Sequence, residues 1–393
     1  MKSSANTQTA STTSSDTTSV VFWNNQPTPY VVDRFNAVAD SGQLDFTAWF
    51  TTKRESDRSW DVDESTWRFP YRYLPRFKIG RQSVTIPSPL IHGTRPDVIV
   101  SLYENISYLM GFGLGRIRGV RMVFFAEKTF DAWVTRRKWK EALKRLIFSR
   151  VDAVFTTGPD GQRFCGQYGT PAERIFCLTH FNQFHLFSQD RELHKDARAQ
   201  LRRTLDLKGT TFLCVGRLWR GKGISYLIDA FKELQTSVDQ DVSLLFVGDG
   251  EDELSIRERC RSENIRNVVF AGFKQRGELP RYYSAGDIFI FPTLGDPYGL
   301  ALDEAMASGL PVVSTSAAGE IHERIDDGVN GFIVPPADSG ALYERMRSLM
   351  LNPSLRTRFS TAAVAKVAGK TPDRWARDFE AAIRGVITLP RMK

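Results

Sequence analysis

A strand-like apolar run, Phe212-Leu-Cys-Val, ends at Gly216, and Arg217, Lys222 and Gly223 follow before a helix-like segment opens at Ile224. A chain leaving a strand for a helix presents unpaired N–H groups and a positive dipole end, which suits a phosphate. Arg217 adds a planar fork able to grip a diphosphate, and Lys222 adds a compact second charge. Taken alone, basic loop side chains such as these are more often simply solvated. A second stretch runs from Phe291 to Pro311. Its Gly/Pro loop carries Asp296, Tyr298 and Gly299, and a short helix from Leu300 carries Glu304. Asp296 and Glu304 lie eight residues apart, about 12 Å at helical rise. That separation suits two carboxylates on hydroxyls at opposite ends of a ligand the size of a nucleotide-sugar. It equally fits Asp296 as a helix N-cap and Glu304 as a solvated helix residue.

The elements that must carry these loops follow from the apolar pattern. Strand-length runs occur at Ser19–Trp23, Phe46–Phe50, Asp97–Leu102, Met122–Ala126, Asp152–Thr157 and Arg174–Leu178, with helical segments at Tyr30–Asp40 and Asp131–Arg150. A second series runs Thr211–Val215, Ser243–Val247, Val268–Ala271, Asp287–Phe291, Pro311–Thr315 and Gly331–Val334, again with helices between. Near-continuous apolar strands alternating with helices predict parallel sheets covered on both faces. The fold class is α/β, with two Rossmann-like domains facing across a cleft at the carboxyl ends of their strands. We divide the chain into a Ser/Thr-rich tail read as disordered (1–19), an N-terminal domain (20–190), a C-terminal domain opening with the polar stretch Gln189–Lys208 (191–371), and a last helix packing back on the N-terminal domain (372–393).

With 393 residues, sizeable cores need no disulfide or metal staple. No run reaches the roughly 20 apolar residues of a membrane span, and the N-terminus lacks a signal-peptide core. Cys165, Cys177, Cys214 and Cys260 fall in apolar segments and read as reduced core thiols of a cytoplasmic protein. The five histidines, His92, His180, His185, His194 and His322, show no metal-ligand spacing, and no metal or cofactor is expected. The net charge of +8 is local: Arg116–Arg145 holds ten basic and three acidic residues. Its helix carries Trp133 and Trp139 and reads either as a surface for anionic membrane or as a solvated face whose Trp139, Leu143, Leu146 and Ile147 enter the core. A nucleic-acid partner is not expected, since no RNP, KH or helix-turn-helix signature accompanies the basicity.

Five motifs occur in order: Gly216-Arg217 with Lys222-Gly223, Val247-Gly-Asp-Gly250, Val269–Phe273, Asp296–Pro311 and Gly328-Val-Asn-Gly-Phe332. Together they resemble the C-terminal half of the retaining GT-B glycosyltransferases of family 4, the group 1 glycosyl transferases. The resemblance covers nearly all of residues 208–350. It implies that Arg217 and Lys222 hold the donor diphosphate, that Glu304 binds the ribose hydroxyls, and that Gly272 and Phe273 pack on the nucleobase. Gly216 belongs to the same diphosphate loop. Tyr298, Gly299 and Leu300 match the loop under the transferred sugar. Asp296 stands where the family has a Glu that contacts the sugar, one methylene shorter. Glu323 matches a family Glu expected to be structural.

The N-terminal half is less similar. Asn24-Asn-Gln-Pro-Thr-Pro-Tyr30 replaces a Gly-rich loop, and Glu127 is the nearest position to a His that many members direct at the donor. Glu127 would contact the sugar or act as a base, or else form a structural salt bridge. The implied activity is transfer from a nucleotide-diphosphate sugar to a saccharide or lipid-linked saccharide, without metal and at the inner membrane face, in surface polysaccharide synthesis. The alternative is a non-catalytic nucleotide-sugar-binding protein of the same fold.

Overall fold

The computed structural model describes residues 17–53, 63–79, 82–127, 138–181, 184–188 and 195–392. Most of the predicted tail and the first part of the basic segment's helix (128–137) lie outside them. The N-terminal domain is built on strands β1 (Ser19–Asn24), β2 (Asp45–Phe50), β3 (Tyr71–Tyr73), β6 (Val98–Ser101), β7 (Arg121–Ala126), β8 (Ala153–Thr156) and β9 (Ile175–Cys177), with a hairpin of β4 (Arg76–Ile79) and β5 (Gln82–Thr85) beside it. The C-terminal domain uses β10 (Thr210–Val215), β11 (Val242–Val247), β12 (Val268–Phe270), β13 (Ile288–Phe291), β14 (Val312–Thr315) and β15 (Gly331–Val334). Sheet orders are β3-β2-β1-β6-β7-β8-β9 and β12-β11-β10-β13-β14-β15. Every pairing within these two sheets is parallel.

Strand order reverses at β1/β6 in one sheet and at β10/β13 in the other. These switch points splay the following loops apart and leave a crevice at the strands' carboxyl ends. Helix Pro29–Ser41 starts the first crevice wall. Thr28 caps it through Val31 N–H, and Pro29 fills the first turn, where no N–H partner is needed.

The helix Pro372–Thr388 completes the N-terminal core. Trp375, Phe379, Ile383 and Val386 join Phe22, Phe35, Val123 and Phe155 in one apolar cluster, with the Trp375 and Phe379 rings stacked at 5.1 Å. Arg121 clamps its end by donating to the carbonyls of Ile387 (2.9 Å) and Leu389 (2.8 Å).

Two sequence expectations change. The polar stretch ahead of Lys208 contains the helix Lys195–Thr204, whose Arg198 and Arg202 grip Asp287 of the C-terminal domain. Phe187 and Leu207 pack in that domain's core, with Phe184 and Leu201 against it. The second domain's packing therefore begins at Phe184, ahead of the boundary drawn from charge composition. All four cysteines are free, but Cys177 is exposed where a core thiol was expected. It ends the edge strand β9, which is covered on one side only.

Candidate functional site

The loops at the two switch points enclose a cavity of about 500 Å³ between the domains. From the C-terminal domain, Gly216, Arg217, Phe273, Leu300 and Glu304 line it. From the N-terminal domain come the loop Asn24–Tyr30, Arg34 and Glu127, with His180 following β9. Lys222 lies in an adjoining crevice with Gly216 and Arg217. Asp296, Tyr298, Gly299 and Gly272 are not among the residues that line the cavity.

Loop geometry explains these positions. Gly216 runs so close to Gly248 that a side-chain carbon on Gly248 would meet the Gly216 carbonyl at 2.1 Å. Leu218 N–H then bonds the Asp249 carbonyl at 2.7 Å, and Leu294 N–H bonds the Gly221 carbonyl at 2.9 Å. The cationic loop is thus pinned on both sides, so Arg217 and Lys222 start from a fixed backbone. Their charges are engaged. Lys222 forms an ion pair with Asp296 and lies 5.3 Å over the Phe291 ring, while Arg217 meets Glu251 at 3.1 Å.

Glu304 is buried on the helix Leu300–Ala307, and Tyr283 O–H donates to it at 2.6 Å. Burial pushes its carboxyl up to about 8, so at neutral pH it holds a proton. The solvated-helix alternative is therefore excluded for Glu304. Gly299 precedes this helix at φ +80°, a conformation that a residue with a side chain adopts only at a cost, and a side-chain carbon there would also hit the Phe291 ring.

Tyr298 is buried, its ring 4.2 Å from that of His180. Its hydroxyl donates to Asp303 at 2.9 Å, and Lys370 reaches the same carboxylate at 3.1 Å. Arg324, fully buried, pairs with Asp303 at 2.8 Å, donates to the carbonyls of Tyr298 and Gly299, and lies 4.1 Å over the Tyr298 ring. Burial opposes ionisation of Asp303, yet Arg324 and Lys370 hold its carboxyl at about 2. The network fixes the two peptides that lead into the Glu304 helix.

Opposite, Arg34 is buried beneath the cavity among the rings of Phe125, Phe181 and Trp375. It reaches Glu127 at 3.3 Å and His180 Nδ1 at 3.5 Å. Burial, and then the Arg34 charge, hold the His180 imidazole well below its usual value, so it is neutral. Since Arg34 only donates, Nδ1 accepts and Nε2 carries the hydrogen; Nε2 lies 3.5 Å from Glu127 Oε1. Glu127 is part of an ion pair and also lines the cavity. At the cavity's lip Arg276 pairs with Asp33 and covers the Tyr30 ring at 4.7 Å, joining the domains.

Arg34, His180, Tyr283, Asp303, Arg324 and Lys370 were missed by sequence reasoning. His180 lies in no motif that marks it, and the other partners meet across long chain separations. Glu323, singled out in the sequence, is exposed, whereas its neighbours Glu320 and Arg324 are buried.

The basic segment is also reapportioned. Arg116 donates to the carbonyls of Arg150 and Met392, Arg118 to that of Ile91, and Arg121 to the C-terminal helix. Their charge is spent on backbone. On the helix Lys138–Phe148, Ile147 is buried, but Trp139 (59%) and Leu146 (49%) are exposed beside Lys140 and Arg145. Two of the four side chains assigned to the core therefore face outward. Among the described residues no helix is long and apolar enough to cross a membrane.

Residues 198–366 match the family model of Glycosyl transferases group 1. The chain is 28% identical over 202 residues to the alpha-D-kanosaminyltransferase of Streptomyces kanamyceticus, covering 51% of each. It is 34% identical over 142 residues to the capsular polysaccharide biosynthesis glycosyltransferase CapM of Staphylococcus aureus, covering 36% of this chain and 37% of that one. The chain thus spans about half the length, or less, of the curated relatives it matches. The whole architecture is similar to the crystal structure of Anabaena HepE in complex with UDP and glucose: TM-score 0.76, 16% identity, covering 93% of this chain and 99% of that one. The fold is GT-B.

Proposed function

We propose that the chain is a retaining, metal-independent glycosyltransferase of family 4. It moves a sugar from a nucleotide-diphosphate sugar to a saccharide or lipid-linked saccharide in surface polysaccharide synthesis. One observation carries the reading: a single cavity has Arg217 and Glu304 on one wall, Lys222 in the adjoining crevice, and Glu127 with Arg34 and His180 on the other. The similarity to a HepE structure holding UDP and glucose, and to a capsular polysaccharide enzyme, points the same way.

On this reading Glu304 takes the ribose hydroxyls, Phe273 and Gly272 flank the base, and Arg217 with Lys222 take the diphosphate. The bond from the anomeric carbon to the phosphate oxygen breaks, and the acceptor oxygen bonds to the same face of that carbon. The acceptor proton leaves on the nucleoside diphosphate. The protein's contribution is positive charge on the departing phosphates and a cleft poor in water. Arg34 and His180 hold Glu127 toward the acceptor hydroxyl. Lys140, Arg145, Trp139 and Leu146 place the N-terminal domain on an anionic membrane that carries the acceptor.

A thermal-shift screen with UDP, GDP, ADP, dTDP and their sugars tests this. A ligand at a hundredfold its Kd stabilises by about 2.7 kcal/mol, so the preferred base stands out. Arg217→Ala and Glu304→Ala are expected to lose that shift together with sugar release or transfer. Binding without turnover of any sugar on any acceptor would favour the non-catalytic reading, and absence of any shift would sink both.

A further inference from the structure

Glu320 is the residue that the activity leaves unexplained. It has φ +52° and ψ +33°, left-handed backbone that a side chain rarely adopts, and it is 2% exposed. Such a conformation persists only when its surroundings impose it. Its carboxylate leaves the C-terminal domain and accepts from the backbone N–H groups of Asp160 (3.0 Å) and Gly161 (2.9 Å) in the N-terminal domain. These open the helix Pro159–Gln167, which has Pro159 in its first turn and no side-chain cap of its own. Free N–H groups at a helix start favour a carboxylate. Here the other domain supplies it.

Two glycines make room for this contact. A side-chain carbon at Gly158 would meet Glu320 Oε2 at 2.4 Å, and one at Gly319 would meet the Pro297 carbonyl at 1.9 Å. The Glu320 loop is in turn bonded to the loop bearing Asp296: Asp296 N–H to the Ala317 carbonyl at 3.2 Å, and Gly319 N–H to the Asp296 carbonyl at 2.9 Å. A helix end of one domain is thereby wired, through one carboxylate and two peptides, to the loop that carries the Lys222 partner of the other.

We infer that Glu320 is a positioning residue: its carboxylate caps the N-terminal domain's helix Pro159–Gln167 and so sets the angle between the domains and the reach of the Asp296 loop across the cleft. The Arg276–Asp33 ion pair and the His180 and Tyr298 rings, 4.2 Å apart, join the same two domains. Its effect on turnover rests on the proposed transferase reading, whereas its effect on domain geometry does not.

Glu320→Gly separates this role from an accident of packing, because glycine relieves the left-handed backbone while deleting the cap. Hydrogen exchange at Asp160 and Gly161 should accelerate at least tenfold, with protection of β10 to β14 unchanged, and small-angle scattering should show a larger radius of gyration. Gly158→Ala, which displaces the carboxylate and leaves Glu320 in place, should reproduce both changes. Under the transferase reading kcat falls at least tenfold while nucleoside diphosphate affinity stays within threefold. Unchanged exchange at Asp160 and Gly161 in both variants, or unchanged scattering, would overturn the inference whatever the activity. Normal kcat with altered exchange and scattering would limit Glu320 to domain geometry and refute its part in turnover.

Discussion

Replacing Glu304 with Gln exposes the proton that burial places on this carboxyl. In the folded chain it titrates near 8, against 4.5 for an ordinary glutamate. Between those values the native state keeps a proton that the unfolded chain has released, so stability falls as pH rises through the window. The slope is about 1.4 kcal/mol per pH unit, and the whole window amounts to roughly 5 kcal/mol. Gln has the shape of the protonated acid, still accepts the Tyr283 hydroxyl, and does not titrate. Relative to the natural chain, Glu304→Gln should therefore gain about 3 kcal/mol between pH 5.5 and 7.5. For a domain of this size that is roughly 5 to 10 °C in Tm. Urea or thermal transitions of both chains, followed at pH 5.5, 6.5 and 7.5, measure the difference. A difference constant across these pH values would show Glu304 already ionised when folded and refute the argument from burial.

Asp303→Asn should lower the stability of the C-terminal domain by about 3–5 kcal/mol, because it leaves Arg324 and Lys370 buried without their counter-charge; denaturation of that domain measures it. Since the Asp303 carboxyl sits near 2, below its ordinary 3.8, its contribution is fully present above about pH 4 and is lost as pH falls toward 2, so the difference between the two chains should shrink only in that acid range. Reversing Lys140 and Arg145 to Glu should weaken co-sedimentation with phosphatidylglycerol vesicles by ten- to a hundredfold, at about 1 kcal/mol per basic residue, and leave nucleotide-induced thermal shifts unchanged. Equal binding by both proteins would remove the membrane role.

Both sheets are legible because parallel strands buried on two faces read as unbroken apolar runs: Val20-Val-Phe-Trp23, Leu244-Leu-Phe246 and Ile288-Phe-Ile290 have no polar interruption. Tyr71-Arg-Tyr73 at the sheet edge alternates with polar residues and carries no such signal, and the hairpin Arg76–Thr85 is equally short and mixed. Lys195–Thr204 is hard to read as a helix because much of its anchoring is ionic, through Arg198 and Arg202, and Leu201 is its one large apolar side chain. At the site, residue type marked Arg217, Lys222, Asp296 and Glu304. Their partners were invisible because topology brings them together: Tyr283 with Glu304, Arg34 with His180, and Glu320 with a helix in the other domain. The family resemblance instead points to Glu323, which faces solvent.

The ion pairs of the resting site also bear on how a donor would enter it. Lys222 is held by Asp296 and Arg217 by Glu251, so at these two side chains a diphosphate exchanges for carboxylates already present. The net Coulomb gain is then small, and the diphosphate must compete through bidentate geometry on the Arg217 fork. The exchange has a useful consequence under the proposed reading. Phosphate arriving at Lys222 releases Asp296, whose other oxygen stays anchored by Tyr298 N–H at 3.1 Å. The freed oxygen becomes an acceptor for a sugar hydroxyl at the moment the sugar arrives. The shorter side chain at position 296 fits this role, because reaching Lys222 and bonding its own loop are both short-range tasks. Under that reading a single carboxylate first pairs with Lys222 and then binds the sugar.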